Sequence, residues 1–182
     1  MRSISRKDQG PIDKIPGELA WYLVGFTDGE GSFNVSFKRQ ADVKLGWKAA
    51  PSFNISQRDD SICKLFQRVL GVGTVRYRRD GVCYYEVRSV ANLVERVIPF
   101  FTRFPLRSWK QQDFRVFARI VRSMASGKHR SRDGLEAILK LRNRMNRGGN
   151  RKIADQAIYQ SLRALKSSET LRQTPPRERG SR

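Results

Sequence analysis

The order of hydrophobic patterns along the chain predicts an α+β domain, in which helices cover one side of an antiparallel sheet. A nearly all-apolar segment before the first strand predicts a buried helix, and two pairs of alternating segments predict four strands. The predicted order is α-β-β-α-β-β-α with extra C-terminal helices, within one domain over residues 15–172. Residues 1–14 are expected to be flexible, and residues 173–182 to form a disordered basic tail.

The first helix is predicted to begin within residues 15–18, where Pro16 lies near the first turn and Glu18 supplies an acid. Residues 19–27 are almost entirely apolar, which is typical of a helix that is buried on more than one side. Gly25 in its middle costs about 0.5–1 kcal/mol relative to Ala. A close contact with another helix explains this glycine, and a packing notch within one chain is the alternative.

Strict alternation of apolar and polar residues predicts the four strands. Pro51 predicts an irregular or edge position at the start of the second strand. Residues 75–78 and 82–88 alternate around an Asp80-Gly81 turn, which predicts a hairpin. The apolar positions of this alternation are Phe33, Val35, Phe37, Phe53, Ile55, Val75 and Tyr77.

Capping residues and apolar spacing predict the remaining helices. A helix capped by Asp59 or Asp60 lies between the two strand pairs. After the hairpin, a short helix over 89–98 is expected to stop at Pro99. The later helices are predicted from Ser108, over residues 132–145 and around Ile153, Ile158 and Leu162.

The charge of the chain predicts a polyanionic partner. Its 182 residues include 37 Lys or Arg and 17 Asp or Glu, which gives a formal net charge of +20. Such an excess most often serves nucleic acid binding. The 38% hydrophobic content, with ten Phe, is enough for a core and excludes a wholly disordered basic chain. Residues 128–152 hold nine Lys or Arg against two acids, and we expect either phosphate contacts or a solvated helix face there.

The composition also excludes several kinds of chemistry. Cys63 and Cys83 do not form a CxxC pair, which excludes a zinc finger and a disulfide scaffold. His129 is the single histidine, which excludes a histidine-pair metal site, and it is interpreted as a surface residue. The chain contains no apolar run of ~20 residues and no secretory h-region, so neither a membrane partner nor secretion is expected.

Residues 23–31, which read LVGFTDGEG, resemble the LAGLIDADG motif of homing endonucleases. The resemblance covers residues 16–172 and includes the Ile55-Ser-Gln57 strand end and the segment from Phe104 to Lys110. It implies the αββαββα homing endonuclease fold, whose antiparallel sheet forms a DNA-binding saddle. Because members with one motif are homodimers, it also implies a two-fold dimer through the motif helix. The interface residues would be Trp21, Tyr22, Gly25 and Phe26.

Two acids near the end of the motif helix point to a bound cation. A helix C-terminus carries partial negative charge, so Asp28 and Glu30 are disfavoured there unless a cation is present. Hard cations such as Mg²⁺ take carboxylate, carbonyl and water oxygens. The alternative is a turn that merely ends a buried helix. The resemblance implies Mg²⁺, or Mn²⁺ as a substitute, held by Glu30 and the Gly31 carbonyl, with Asp28 supporting the turn.

The resemblance also implies the other catalytic residues. Gln57 would lie near the water that attacks the phosphodiester, and Lys110, or alternatively Arg107, would polarise solvent or stabilise the phosphorane. A second basic residue of some members would fall near Ser61, which is not basic, with Arg58 close by. The implied reaction is metal-assisted phosphodiester hydrolysis without a protein nucleophile and without a small-molecule substrate.

The polar face of the predicted sheet is expected to read double-stranded DNA, as this face does in the family. A twisted antiparallel ribbon can enter the major groove and contact base edges. A solvated sheet face is the alternative. The predicted DNA-binding residues are Asn34, Ser36, Lys38, Ser52, Asn54, Ser56, Arg76, Arg78, Tyr84, Glu86 and Arg88.

The leading hypothesis is a homing endonuclease that cleaves both strands of a long, roughly palindromic DNA site. The alternative is an intron maturase, an RNA-binding protein that retains the fold. A DNA-binding regulator derived from the family is a third reading, and a basic ribosomal protein explains only the charge. For the leading hypothesis, the compartment would be a bacterial cytoplasm or the organelle of the encoding genome.

Overall fold

A computed structural model describes residues 11–146 and 155–173, excluding the side chains of 165–173. The predicted α+β class and the order of its elements are confirmed. The described residues do not include 1–10, 147–154 or 174–182. Ile153 of the last predicted helix therefore lies outside them. The strands are β1 (Ser32–Arg39), β2 (Trp47–Gln57), β3 (Thr74–Tyr77) and β4 (Cys83–Val87). The helices are α1 (Gly17–Glu30), α2 (Asp60–Leu70), α3 (Val90–Asn92), α4 (Ile98–Arg103), α5 (Lys110–Ala125), α6 (Arg132–Arg142) and α7 (Asp155–Gln173).

The sheet has the strand order β1-β2-β4-β3, and all its neighbours are antiparallel. Phe53 pairs with Phe33 on one side and with Val87 on the other, so the predicted apolar positions share one face. Pro51 pairs with Val35 of β1, whereas β4 pairs with β2 only from Phe53 onward. Pro51 therefore has a strand neighbour on one side alone, where its missing N–H is tolerated.

The core lies between this apolar sheet face and the helices. The rings of Phe33 and Phe53 stack at 5.1 Å, and Phe101 of α4 meets both edge-on at 5.4 and 5.3 Å. Phe117 of α5 lies 5.3 Å from the Phe33 ring. Each such aromatic pair adds about 0.5–1.5 kcal/mol beyond the burial of its area. These contacts fix α4 and α5 against the centre of the sheet.

The predicted stop at Pro99 is wrong. A π-helical turn over Leu93–Val97 joins α3 to α4, and Pro99 lies in the first turn of α4. A proline lacks the N–H donor and clashes with the carbonyl of the preceding turn, so it fits only where a new helical segment begins. The π turn provides that break, and burial of Phe100 and Phe101 favours the continuation to Arg103.

The described residues include a short ordered segment ahead of residue 15. Ile12 starts a 3₁₀ turn, Ile12–Lys14, and its side chain packs in the core. Asp13 in the same turn pairs with Arg103 of α4 at 3.2 Å. Burial of Ile12 therefore fixes the chain just ahead of α1.

The last helices attach to the far ends of β1 and β2. The Arg142 guanidinium stacks over Phe37 at 4.8 Å and pairs with Asp155. Trp47 Nε1 of β2 donates to Ser161 Oγ of α7 at 3.1 Å. The C-terminal helices thus extend the helical layer beyond the αββαββα unit.

Candidate functional site

Glu30 is the last residue of α1 and is exposed. Its carboxylate has no hydrogen bond or ion pair within the described part of the chain. The helix ends there because Gly31 turns into extended backbone after its N–H bonds the Thr27 carbonyl at 2.9 Å. A Cβ at Gly31 would lie 2.5 Å from Thr27 Cγ2, so this tight exit requires glycine. The exit leaves the Glu30 carboxylate open to a ligand.

Lys110, the first residue of α5, contacts the end of α1 through its side chain. Its Nζ donates to the carbonyls of Thr27 at 2.8 Å, Gly31 at 2.7 Å and Gly29 at 3.4 Å. An ammonium has three N–H donors, and these three carbonyls use all of them. The side chain is only 7% exposed, and this loss of water lowers the pKa of Lys110 against the opposing pull of Asp28 and Glu30.

Asp28 holds the loop that precedes α5. Its carboxylate accepts hydrogen bonds from the Arg107 N–H at 2.7 Å, the Ser108 N–H at 3.3 Å and the Ser108 hydroxyl at 2.7 Å. The Ser108 hydroxyl in turn accepts from the Lys110 N–H at 3.1 Å. Both oxygens of Asp28 are engaged, so this carboxylate joins the end of α1 to the loop before α5.

The guanidinium of Arg107 is directed toward the middle of α1, although the N–H of this residue bonds Asp28. Its guanidinium stacks over the Trp21 ring at 5.1 Å. Trp21 is nine positions before Glu30 on α1, which is about 13 Å along the helix axis. Of these two cationic groups, the Lys110 ammonium therefore lies at the end of the motif helix, and the Arg107 guanidinium does not.

The oxygen ligands at this site fit a hard divalent cation only in part. The exposed Glu30 carboxylate is a ligand type that Mg²⁺ and Mn²⁺ accept. The Gly31 carbonyl already holds the Lys110 ammonium at 2.7 Å, so a dication on the same oxygen would face another cation at close range. Among the described residues, no group of three or more His, Cys, Asp or Glu could hold a metal ion. A cation at Glu30 would need further ligands from water, from a substrate or from a second chain.

Gln57 and Ser61 lie around the start of α2. Gln57 ends β2, and its Oε1 accepts from the Arg58 N–H at 2.9 Å. Because Ser32 pairs with Asn54, Gln57 extends three residues past the start of β1, toward the edge where α1 ends. Ser61 donates its N–H and its hydroxyl to Asp59 at 2.9 and 2.7 Å, so it helps to cap α2. Arg58 is exposed and follows Gln57 directly.

The register confirms that the predicted polar positions share the sheet face opposite the core. Asn34 pairs with Ser52, Asn54 with Glu86, and Arg76 with Tyr84. Arg78 and Arg88 continue the same alternation just beyond β3 and β4. The sequence prediction missed two positions of this face, Lys48 and Ala50, which pair with Lys38 and Ser36. Extending the alternation of β2 backward through Pro51 would have found both.

Two residues of this polar face are covered by their neighbours. Glu86 is 5% exposed and forms ion pairs with Arg76 and, at 2.8 Å, with Arg88. Asn54 beside it is 7% exposed. Glu86 thus aligns two arginines, which are themselves about half exposed or more. Sequence alternation could place Glu86 on this face but could not reveal its burial.

A cleft of about 340 Å³ opens beside the polar face, where β4 does not reach β2. Its lining includes Lys38, Lys48, Arg88 and His129. Burial, followed by the nearby Arg130, lowers the pKa of His129. The single histidine is therefore half-buried in a cationic cleft and is not a plain surface residue.

The outward face of α1 presents aromatic side chains around a glycine. Trp21 is 41% exposed and Tyr22 is 56% exposed. A Cβ at Gly25 would meet no atom of the described residues within 4 Å. Phe26 is half-buried and meets the ring of Phe66 at 6.3 Å. No described residue fills the notch at Gly25, which disfavours the single-chain explanation of this glycine.

The fold and the site together define a class: a basic α+β domain whose buried first helix ends in an exposed carboxylate beside a polar sheet face. Residues 23–121 match the family described as LAGLIDADG endonuclease. This match spans more than half of the chain, so the chain belongs to the LAGLIDADG endonuclease family. The family prediction from the motif at residues 23–31 is confirmed.

Several known proteins are similar to this chain. The probable intron-encoded endonuclease 3 of Neurospora crassa is 32% identical over 132 residues, which is 70% of this chain and 25% of that protein. The crystal structure of the homing endonuclease I-TnaI has a TM-score of 0.70 at 32% identity, over 80% of this chain and 97% of that chain. The archaeal intron-encoded homing endonuclease I-Vdi141I, complexed with DNA, has a TM-score of 0.75 at 26% identity, over 81% and 96%. The chain spans about a quarter of the length of the Neurospora crassa relative. Among the described residues, no helix has the length and apolar character to cross a membrane.

Proposed function

We propose that the chain is a site-specific homing endonuclease that cleaves both strands of double-stranded DNA with Mg²⁺ or Mn²⁺. One observation carries this proposal: the Glu30 carboxylate at the end of α1 is exposed and has no partner among the described residues. Glu30 also lies within the part of the chain that matches the family. The archaeal relative I-Vdi141I, which is similar over 81% of this chain, was determined in complex with DNA. The net charge of +20 suits the same partner.

Glu30 would hold the cation, and the chemistry that Mg²⁺ supplies when bound is activation of water and stabilisation of the leaving oxygen. Gln57, whose Nε2 has no partner among the described residues, would orient the attacking water. Asp28 would keep the turn in place through its bonds to Arg107 and Ser108. Hydrolysis by activated water needs no protein nucleophile, which suits a site without cysteine or histidine.

The polar sheet face would read the target. Arginine pairs with guanine through two parallel hydrogen bonds, and an arginine fixed by a carboxylate reaches the base at lower entropic cost. Glu86 gives Arg76 and Arg88 that support. Lys38 and Lys48 lie opposite each other at the cationic cleft, where they would contact backbone phosphates.

A second copy would complete the enzyme. One chain has a single Glu30, whereas cleavage of both strands needs two centres. The outward face of α1, with exposed Trp21 and Tyr22 around the open notch at Gly25, offers the surface for a two-fold contact. Such a dimer would bring two motif helices together and would read a roughly palindromic site.

The test is Glu30→Gln, which removes the charge and keeps the size of the side chain. We expect duplex cleavage to fall by more than about a hundredfold while DNA affinity stays within about twofold, because the change touches only cation binding. Glu18→Gln in the first turn of α1 is the matched control and should cut like the wild type. A random duplex library would supply the substrate. Full cleavage by Glu30→Gln would reject the metal assignment.

RNA binding, as in an intron maturase, is a second candidate that one observation favours. Arg115, Arg119 and Arg122 of α5 are exposed on the side opposite the buried Phe117. Their guanidinium groups form no hydrogen bond or ion pair within the described residues. A duplex on the polar sheet face could not reach them, since the helical layer lies between. Replacing all three by Gln should weaken binding of the encoding transcript and spare DNA cleavage; unchanged RNA affinity would reject this second candidate.

A further inference from the structure

Lys110 and Ser108 form a tie between the end of α1 and the start of α5. We propose that Lys110 is a positioning residue, which orients Glu30 through the backbone and does not itself contact the substrate. In the same proposal, the Asp28–Ser108 bond sets Lys110 in place. The inference rests on the proposed function for its link to cleavage, but its structural part stands alone.

The first argument is saturation of the ammonium. Lys110 Nζ has carbonyl partners at 2.7, 2.8 and 3.4 Å, which account for its three donors. With 7% exposure, it has neither a free N–H nor an open surface for a phosphate. A contact with substrate would first require breaking a bond to the helix end.

The second argument concerns the backbone on each side of Glu30. Gly29 and Gly31 flank this residue, and glycine permits more backbone conformations than any other residue. Lys110 bonds the carbonyls of both glycines as well as that of Thr27. One cation therefore fixes the two most flexible links next to the carboxylate. It also neutralises the partial negative charge of the helix C-terminus.

The third argument is the role of the Ser108 hydroxyl. It donates to Asp28 at 2.7 Å and accepts from the Lys110 N–H at 3.1 Å. The same group thus connects the motif helix to the first residue of α5. Asp28 adds the Arg107 and Ser108 N–H groups at 2.7 and 3.3 Å. Without the hydroxyl, Lys110 would keep its charge but lose the bond that sets its backbone.

The experiment measures Glu30 placement both with and without metal. The variants are Ser108→Ala, Lys110→Met and Lys110→Arg, with Ser126→Ala near the other end of α5 as the matched control. In the metal-free protein, hydrogen exchange is followed at the Gly31 N–H, which bonds Thr27 at 2.9 Å. With DNA and metal, the readouts are DNA affinity, maximal cleavage rate and the Mg²⁺ concentration for half-maximal cleavage.

We expect Ser108→Ala to speed Gly31 exchange about tenfold, because local opening governs exchange at such a helix end. The same variant should raise the half-saturating Mg²⁺ concentration several-fold at unchanged DNA affinity. Lys110→Met should increase both the Gly31 exchange rate and the half-saturating Mg²⁺ concentration further. Lys110→Arg should show smaller increases than Lys110→Met. Ser126→Ala should match the wild type.

Two results would overturn the proposal. One is unchanged Gly31 exchange in Ser108→Ala and in a folded Lys110→Met. The other is a loss of cleavage rate in the Lys110 variants at an unchanged Mg²⁺ requirement, which would show direct action on the phosphate. If Lys110→Met does not fold, Ser108→Ala and Lys110→Arg decide. If the wild type cuts no duplex, the proposed function fails. The exchange measurement still tests whether Lys110 and Ser108 hold the end of α1 in place.

Discussion

The Lys110 ammonium lies 2.7 Å from the carbonyl oxygen of Gly31, a residue 79 positions earlier in the chain. Through this contact, an internal cation occupies the carbonyl that the motif resemblance implied for a metal. The Glu30 carboxylate next to it is exposed and has no partner among the described residues. The two functions of the helix end, its closure and its candidate metal binding, are therefore divided between a lysine and a glutamate.

Gly25→Leu should separate dimer formation from folding. A side chain at Gly25 meets no described atom within 4 Å, so the single chain should fold and gain up to about 1 kcal/mol of helix propensity. In the proposed dimer, the same side chain would hold the two motif helices apart. Sedimentation should show monomers at concentrations where the wild type is dimeric. Gln112→Leu, at an exposed position of α5, is the control; a dimeric Gly25→Leu would contradict the proposed interface.

Glu86→Gln should change DNA readout more than stability. The carboxylate is buried, but its partners Arg76 and Arg88 are largely exposed, so solvent screening limits the loss of unfolding free energy to about 1 kcal/mol. Released from Glu86, the arginines should lose about tenfold of their discrimination between bases. Binding to a panel of single-base site variants measures this effect. Asp13→Asn, which breaks the exposed pair with Arg103 on the helical side of the domain, should leave the panel unchanged.

Lys48→Gln should reduce the salt dependence of DNA binding. Each neutralised phosphate contributes about 0.9 to the slope of log affinity against log salt, so the loss of one contact should lower the slope by about that amount. Arg122→Gln on the opposite side of the domain is the control for the loss of one charge. Equal slopes for the Lys48→Gln variant and the wild type would remove the cationic cleft from the DNA-binding surface.

His129 should make the fold less stable in acid. Burial lowers its pKa in the folded state, so the unfolded chain binds more protons between the lowered value and the unfolded value of about 6.5. With respect to His129, the free energy of unfolding should therefore be highest above about pH 7 and decline as the pH falls through this window. The charge of Arg130 adds to this lowering of the pKa, and a backbone hydrogen bond to Met124 opposes it. Melting temperatures of wild type and His129→Gln measured across this range should diverge on acidification. Parallel curves would show that His129 is not the cause of the acid destabilisation.

The sheet shows which features the alternation of residues within a strand can predict and which it cannot. Alternation alone placed Asn34, Ser52 and Arg76 on one face, because successive side chains of a strand point to opposite sides. It missed Lys48 because Pro51 suggested that the strand began later. It also could not show that Glu86 is buried, since that depends on two arginines folding over it.

By itself, the sequence determined the α+β class, the order of its elements, the motif helix ending at Glu30 and the polar sheet face. Each of these follows from residues that are close together in the chain. The tertiary structure alone decided that Lys110 closes the end of α1, that Asp28 binds Ser108, and that the helix continues through Pro99. The physical reason is that these features depend on contacts between distant segments or on burial in a shared core. Such contacts form only when the whole domain is packed.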